Sequence, residues 1–306
     1  MPQKELTEAG KKFIRKICEG NGNSLLQGVN TYNKKPVGLP FSSEENNPKI
    51  WISNAVDVHN KKILTNEQLG EALIDWFDIY SIMYRLDSNI IAAQAYQESK
   101  YNIWIYNPNI STASGISQFV MSTTYEIMIK PGGYSSVTAF TDAEKLKITK
   151  NLKGDVNSVL SYLLGGDSTT KESRQLAHDN RAILHQNLID NPDLCIKAQC
   201  RLMKYNANLT NNLASSTLFC YSRGNFQRQT YTDTIAAAKN SKGDNYIVEG
   251  LDYVKKIFGY LGDEHNQYIV NLPKPKGHWF GYSQLKLGDK FNDFNAANKE
   301  SIAKFG

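Results

Sequence analysis

Glu98 is the residue of this chain best placed to do chemistry. It closes a run, Ser88 to Glu98, in which Ile90, Ile91, Ala92, Ala93, Ala95 and Tyr96 supply an almost continuous apolar surface. Such a run predicts a helix that is apolar nearly all round and belongs at the centre of a core. A carboxylate at its end emerges from a low-dielectric interior, and the negative end of the helix dipole opposes a further negative charge. Both effects push a carboxyl pKa upward, so that its proton is kept near neutral pH. Such a group is a general acid, able to protonate a leaving oxygen as a glycosidic bond breaks. The plain alternative is a solvated carboxylate at a helix end, and position alone favours it.

Few other side chains invite a chemical role. His178 and His185 stand seven apart on one helix face, but no third ligand accompanies them, so surface placement and no bound metal are expected. Asp142 and Glu144 read as a helix cap and surface charge rather than as a second acid. Tyr101, Trp104 and Tyr106 follow the glutamate in a polar loop, where their rings either stack on sugar faces or pack beneath the loop.

The elements that must position Glu98 are helical. Thr65-Asn66-Glu67-Gln68 reads as a capping box. After it Leu69, Leu73, Trp76, Phe77, Tyr80, Met83 and Tyr84 recur at helical spacing, which predicts an amphipathic helix with one buried face. Asp87 is the expected N-cap of the Glu98 helix. The chain then turns through Asn107-Pro108-Asn109 to Gly115, regains order over Gln118 to Ile129, and breaks at Pro131-Gly132-Gly133. Residues 142–190 carry two or three helical patterns. Asp193 to Tyr205, Ser215 to Tyr221 and Val248 to Leu261 predict three more helices, and few strands are expected. Thr7 to Cys18 has a short helical pattern, but Gly20, Gly22, Gly28, Pro36, Gly38 and Pro40 punctuate the residues after it, so the first sixty residues read as an appendage.

A length of 306 residues allows one good core with a smaller appendage. The excess of 35 Lys+Arg over 30 Asp+Glu gives +5, which assists approach to an anionic polymer but is too weak and too scattered for nucleic acid. No apolar run approaches the ~20 residues that cross a bilayer. In Met1 to Asn23, Phe13, Ile14 and Ile17 are broken up by Lys11, Lys12, Arg15 and Lys16, so a usual secretory signal is not expected. Cys18, Cys195, Cys200 and Cys220 form no CxxC and are expected as buried or free thiols of a chain made in a reducing compartment.

The run from Leu86 to Asn102, ending its helix in Glu98-Ser99, resembles the first motif of the soluble lytic transglycosylase family. Thr112-Ala113-Ser114-Gly115-Ile116-Ser117-Gln118-Phe119, with Ser122-Thr123-Thr124 after it, looks like that family's Gly-Ala-x-Gly-Leu-x-Gln segment. Leu218-Phe219-Cys220-Tyr221-Ser222-Arg223-Gly224 is similar to its Ala-Tyr-Asn-Ala-Gly motif, preceded by a fitting helix from Cys195 to Met203. Tyr253-Val254-Lys255-Lys256-Ile257 resembles its closing helix. The pieces stand in family order across roughly residues 66–261, and the ordered set is more specific than any one of them. Thr112 departs from the usual first glycine, Ser222 from the asparagine and Arg223 from its small neighbour.

The resemblance implies a mainly α, lysozyme-like (α+β) catalytic domain over 61–262, with an insertion at about 134–191. It leaves an N-terminal extension over 1–60, a candidate docking segment, and an extended tail over 263–306. It implies a lytic transglycosylase acting on peptidoglycan glycan strands, without metal or cofactor. Glu98 would protonate the oxygen between N-acetylmuramic acid and N-acetylglucosamine, then help the muramyl 6-hydroxyl to attack, giving a 1,6-anhydro product from one carboxyl group where ordinary glycosidases use two. Ser99, Gly115, Gln118, Tyr221 and Ser222 are the substrate-binding residues it implies, with glycine letting the backbone approach the sugar. Two alternatives stay open: a muramidase that adds water and serves as an endolysin, and a virion structural or peptidoglycan-binding protein without activity. The expected setting is a bacteriophage particle, with other virion proteins as candidate partners and action on the host wall.

Overall fold

The computed structural model describes residues 5–21, 66–103, 113–154, 176, 180, 183, 184, 187, 188, 190–210, 212, 214–224 and 231–261. Thr65, Trp104, Tyr106, Thr112, the apolar run from Val156 to Leu164, His178, His185 and the expected tail lie outside them. Helix accounts for 74% of the described part, enough to make the chain mainly α. The strand-like pairing among these residues is a lone antiparallel bridge between Ser114 and Phe119. The helices are α1 (Glu8–Asn21), α2 (Asn66–Tyr84), α3 (Ser88–Ser99), α4 (Met121–Thr124), α5 (Asp142–Thr149), α6 (Pro192–Leu209), α7 (Ala214–Arg223), α8 (Tyr231–Lys242) and α9 (Asp244–Leu261).

Short polar side chains start and stop these helices by satisfying backbone groups that the helix leaves over. Thr7 Oγ1 accepts from the Gly10 amide at 3.0 Å and caps α1. Asp87 Oδ1 accepts from the Asn89 amide at 2.9 Å, the cap expected for α3. At α5 the box is reciprocal: Thr141 Oγ1 accepts from the Glu144 amide while Glu144 accepts from the Thr141 amide. Asn187 Nδ2 donates to the carbonyls of Ile148 and Lys150, both at 2.8 Å, and so closes the other end of α5. The segment after α4 widens into a π-helical turn, Tyr125–Ile129, in which the Lys130 amide reaches back five residues to the Tyr125 carbonyl at 2.9 Å.

The chain forms two compact units. The first comprises residues 1–14, 74–97 and 199–306. Leu6, Phe13, Phe77, Ile90, Ile91, Phe219 and Phe258 are among its buried apolar side chains. Residues 5–7 are bonded into this unit. The Leu6 amide donates to Asp78 Oδ1 at 2.8 Å, the Thr7 amide donates to Asn89 Oδ1, and Asn89 Nδ2 donates to the Glu5 carbonyl, each of the latter at 3.0 Å. The apolar pattern Phe13-Ile14 is too short to show by itself that its face has a partner. Met83, expected on the buried face of α2, is 45% exposed beside exposed Ile79 and Ile82, while Phe77 and Tyr84 are buried as expected. Helix α7 packs on α9, and Gly250 makes that approach possible: a Cβ there would overlap the Phe219 ring.

The second unit comprises residues 15–73 and 98–198. Arg15 holds Glu71 by paired bonds of 2.5 and 3.0 Å, and Gly70 lies against Cys18. The described part of the expected insertion is braced internally and held to α6 by an ion pair. Asn180 exchanges two bonds with the Lys153 backbone, at 2.7 and 2.9 Å. Lys197, 4% exposed on α6, places its ammonium 2.6 and 2.7 Å from the two oxygens of Glu144 and 4.9 Å above the Phe140 ring. Asp142, by contrast, is the expected surface charge, its side chain 97% exposed.

Candidate active site

Glu98 is the penultimate residue of α3 and is half-buried. A helical side chain lies over the turn that precedes it. For Glu98 that turn holds Gln94 and Ala95, both fully buried. Ser99 ends the helix and is itself fully buried. Its carbonyl accepts from the Asn102 amide at 3.0 Å.

The backbone after Glu98 is unusual. Lys100 and Tyr101 take left-handed angles in succession, with φ of 56° and 60°. Such angles are uncommon for non-glycine residues and persist only where surrounding structure holds them. Here the holding group is evident: the Tyr101 ring is among the largest fully buried side chains of the chain. Tyr101 is fully buried, so its ring offers no exposed platform to a sugar.

Gly115 and Gln118 come together in a tight turn of the same unit. The Ser114 amide donates to the Phe119 carbonyl at 3.1 Å, Gly115 has φ of +72°, and Gln118 is left-handed at 51°. Gln118 Nε2 donates to the Gly115 carbonyl at 2.9 Å, so its amide braces the turn. Ser117 Oγ donates to the Cys195 carbonyl at 3.1 Å and anchors the turn to α6. A Cβ on Gly115 would meet Cys195 Sγ at 3.6 Å and Leu188 Cβ at 4.0 Å, ordinary contacts, so what asks for glycine here is the left-handed backbone. Seven non-glycine residues among the described ones have positive φ, and three of them, Lys100, Tyr101 and Gln118, fall in these two motif segments.

Tyr221 and Ser222 belong to the other unit, on α7. Every residue from Ala214 to Cys220 is buried, and Tyr221 is the first to regain partial exposure. Ser222 Oγ donates to the Phe219 carbonyl at 3.2 Å. Arg223 binds Glu249 at 2.5 Å, stacks on the Tyr246 ring, and accepts a bond from Tyr246 Oη through its carbonyl. Burial pushes the Tyr246 phenol up from its ordinary pKa.

Sequence reasoning missed the network that grips α3 within the first unit. Gln199 Nε2 donates to Gln94 Oε1 at 2.8 Å and to the Ile91 carbonyl at 3.1 Å, and Gln94 Nε2 donates to Tyr253 Oη at 3.2 Å. Tyr260 Oη donates to Gln97 Oε1 at 2.6 Å. A signal for it exists: two glutamines in an otherwise apolar helix must find partners if buried, and Tyr253 and Tyr260, seven apart, share one face of α9.

All four cysteines are buried and free of disulfides, and burial pushes the thiols of Cys18 and Cys200 up to about 12. Among the described residues no group of three His, Cys, Asp or Glu side chains is arranged to hold a metal ion. None of their helices is long and apolar enough to cross a membrane. No protein-family model, curated protein or solved structure matches the chain.

Proposed function

We propose that the chain is a lytic transglycosylase of peptidoglycan, with a lysozyme-like catalytic domain and Glu98 as its single acid and base. The observation that carries this is the setting of Glu98. It is half-buried at the end of a helix in which Gln94 and Ala95 are fully buried, and left-handed Lys100 and Tyr101 follow after Ser99. Strain of that kind collects at functional sites. An enclosed carboxyl is also what general acid catalysis at neutral pH requires.

In the proposed step Glu98 gives its proton to the bridging oxygen as the bond to the muramyl anomeric carbon breaks. The resulting carboxylate then takes the proton of the muramyl 6-hydroxyl as that oxygen closes on the same carbon, so the group ends as it began. The braced Gly115–Gln118 turn, in the same unit as Glu98, is the proposed saccharide contact. The mild positive balance of the chain suits an anionic wall polymer. The setting proposed is a bacteriophage particle, which detection of the chain in purified virions tests.

Digestion of purified sacculi, with products read by mass spectrometry, tests the reaction. Anhydromuramyl ends are expected with the wild type and none with Glu98→Gln. Reducing ends would make the enzyme a muramidase. Undiminished cleavage by Glu98→Gln would remove Glu98 from the chemistry.

A further inference from the structure

We propose that Tyr260 is a positioning residue for the last turn of α3, holding the Glu98 carboxyl in register through Gln97. This rests on the function proposed above. Helix α3 is packed mainly through Ile90, Ile91, Ala92, Ala93 and Ala95, all buried. Contacts of that kind are non-directional, and small side chains resist rotation of a helix about its own axis poorly. Directional bonds supply what they lack.

Asn89 supplies such bonds at the start of α3, and a second set lies toward Glu98. Gln94 is held by Gln199 and Tyr253. The Tyr96 ring lies edge-on between Phe13, at 5.0 Å and 73°, and Tyr260, at 5.2 Å and 86°. Gln97, the residue before Glu98, takes the shortest bond of the set, 2.6 Å from Tyr260 Oη. Tyr260 thus meets two successive residues of α3 with two different parts of one side chain, its ring on Tyr96 and its hydroxyl on Gln97.

The leverage is large. Side-chain tips lie roughly 6 Å from a helix axis, so a turn of about 10° carries the Glu98 carboxyl about 1 Å. A misplacement of about 1 Å can lower a rate by about 10²-fold. The Tyr260 hydroxyl is one donor in a wider grip, so its loss takes only part of that.

The test uses the full chain on purified sacculi. Tyr260→Phe keeps the ring and its edge contact and removes only the hydroxyl. Its expected effect is a fall in kcat of roughly tenfold, with KM and the thermal unfolding midpoint unchanged. Gln97→Met is expected to show the same fall, and the double variant to be no worse than either single one, because both remove one link. A kcat within about twofold of wild type in Tyr260→Phe, with Glu98→Gln inactive, overturns the inference and leaves the proposed function standing. A lowered midpoint with kcat intact also overturns it, since Tyr260 would then only pack. Absence of glycan cleavage by the wild type overturns both.

Discussion

Two helices of this protein are held by polar groups, and the chemistry of the grip differs. Helix α3 is held by neutral partners, the amides of Gln94, Gln97 and Gln199 and the hydroxyls of Tyr253 and Tyr260. Helix α5 is held by an ion pair, with Lys197 almost fully buried against both oxygens of Glu144. A neutral network fixes geometry and is indifferent to pH across the range in which proteins work. A buried ion pair fixes position as firmly while its partners are charged, and weakens when one of them takes up a proton. The helix that carries the proposed catalytic acid has the grip that does not titrate.

The strongest way to break the comparison is Lys197→Met. Removing one member of a buried pair leaves a carboxylate without its partner, at a cost of about 3 to 5 kcal/mol. Glu144 keeps some exposure and its Thr141 bonds, so the lower end is expected at neutral pH in urea unfolding. The pH dependence sharpens it. Burial alone would raise the Glu144 carboxyl, but the Lys197 ammonium and the Thr141 backbone outweigh burial and hold it below the usual carboxylate range. A depressed carboxyl stabilises the fold above its unfolded-state pKa, and this contribution is lost as pH falls through the folded value. The gap between wild type and Lys197→Met therefore closes in acid. A gap that stays constant down to acid pH would show that the pair acts by packing alone.

Gln199→Leu is next. It strands Gln94 Oε1 in a buried setting and removes the second bond to the Ile91 carbonyl, which costs about 1 to 3 kcal/mol, and this loss is expected to be flat with pH. A slope like that of Lys197→Met would contradict the distinction drawn between the two grips. Gly115→Ala comes third, at about 1 to 2 kcal/mol for a left-handed backbone. Its Cβ would meet only ordinary contacts, so unfolding midpoints should register strain and no more. Asp142→Asn is the smallest. Its bond to Lys145 is exposed at 3.3 Å, and no change in unfolding is expected beyond measurement error.

Much of the fold is legible from sequence where one physical signal stands alone. Helix α3 announces itself by continuous apolar character and by Asp87, and the Asp87 cap is present. Helices α6, α7 and α9 each have a counterpart in the sequence pattern, with ends displaced by a few residues. Helix α8 does not, because Ile235 and its alanines are a short apolar stretch among Thr232, Asp233, Lys239 and Asn240, with no strong period. The π-helical turn after Thr124 is invisible in the sequence, since it depends on a hydrogen-bond register that residue type does not encode.

The candidate site is legible as residue types and not as roles. Glu98 is singled out by the apolar residues before it, and its half-buried position agrees with that. Gly115 is expected to admit a sugar, and its absent side chain faces Cys195, a partner 80 residues away that no local pattern could reveal. Ser99 and Tyr101 are both fully buried, which their polar local sequence does not show. The glutamines of α3 can be seen to need partners, but Tyr253, Tyr260 and Gln199 can be named only once the helices are packed.

The placement of the four sulfur atoms gives each half of the molecule its own reporter. Cys18 and Cys195 belong to one unit and Cys200 and Cys220 to the other, and none is more than 2% exposed. An alkylating reagent can reach them only when the surrounding region opens, so peptide mapping of labelled sites over time would time the breathing of each half separately, without any engineered probe.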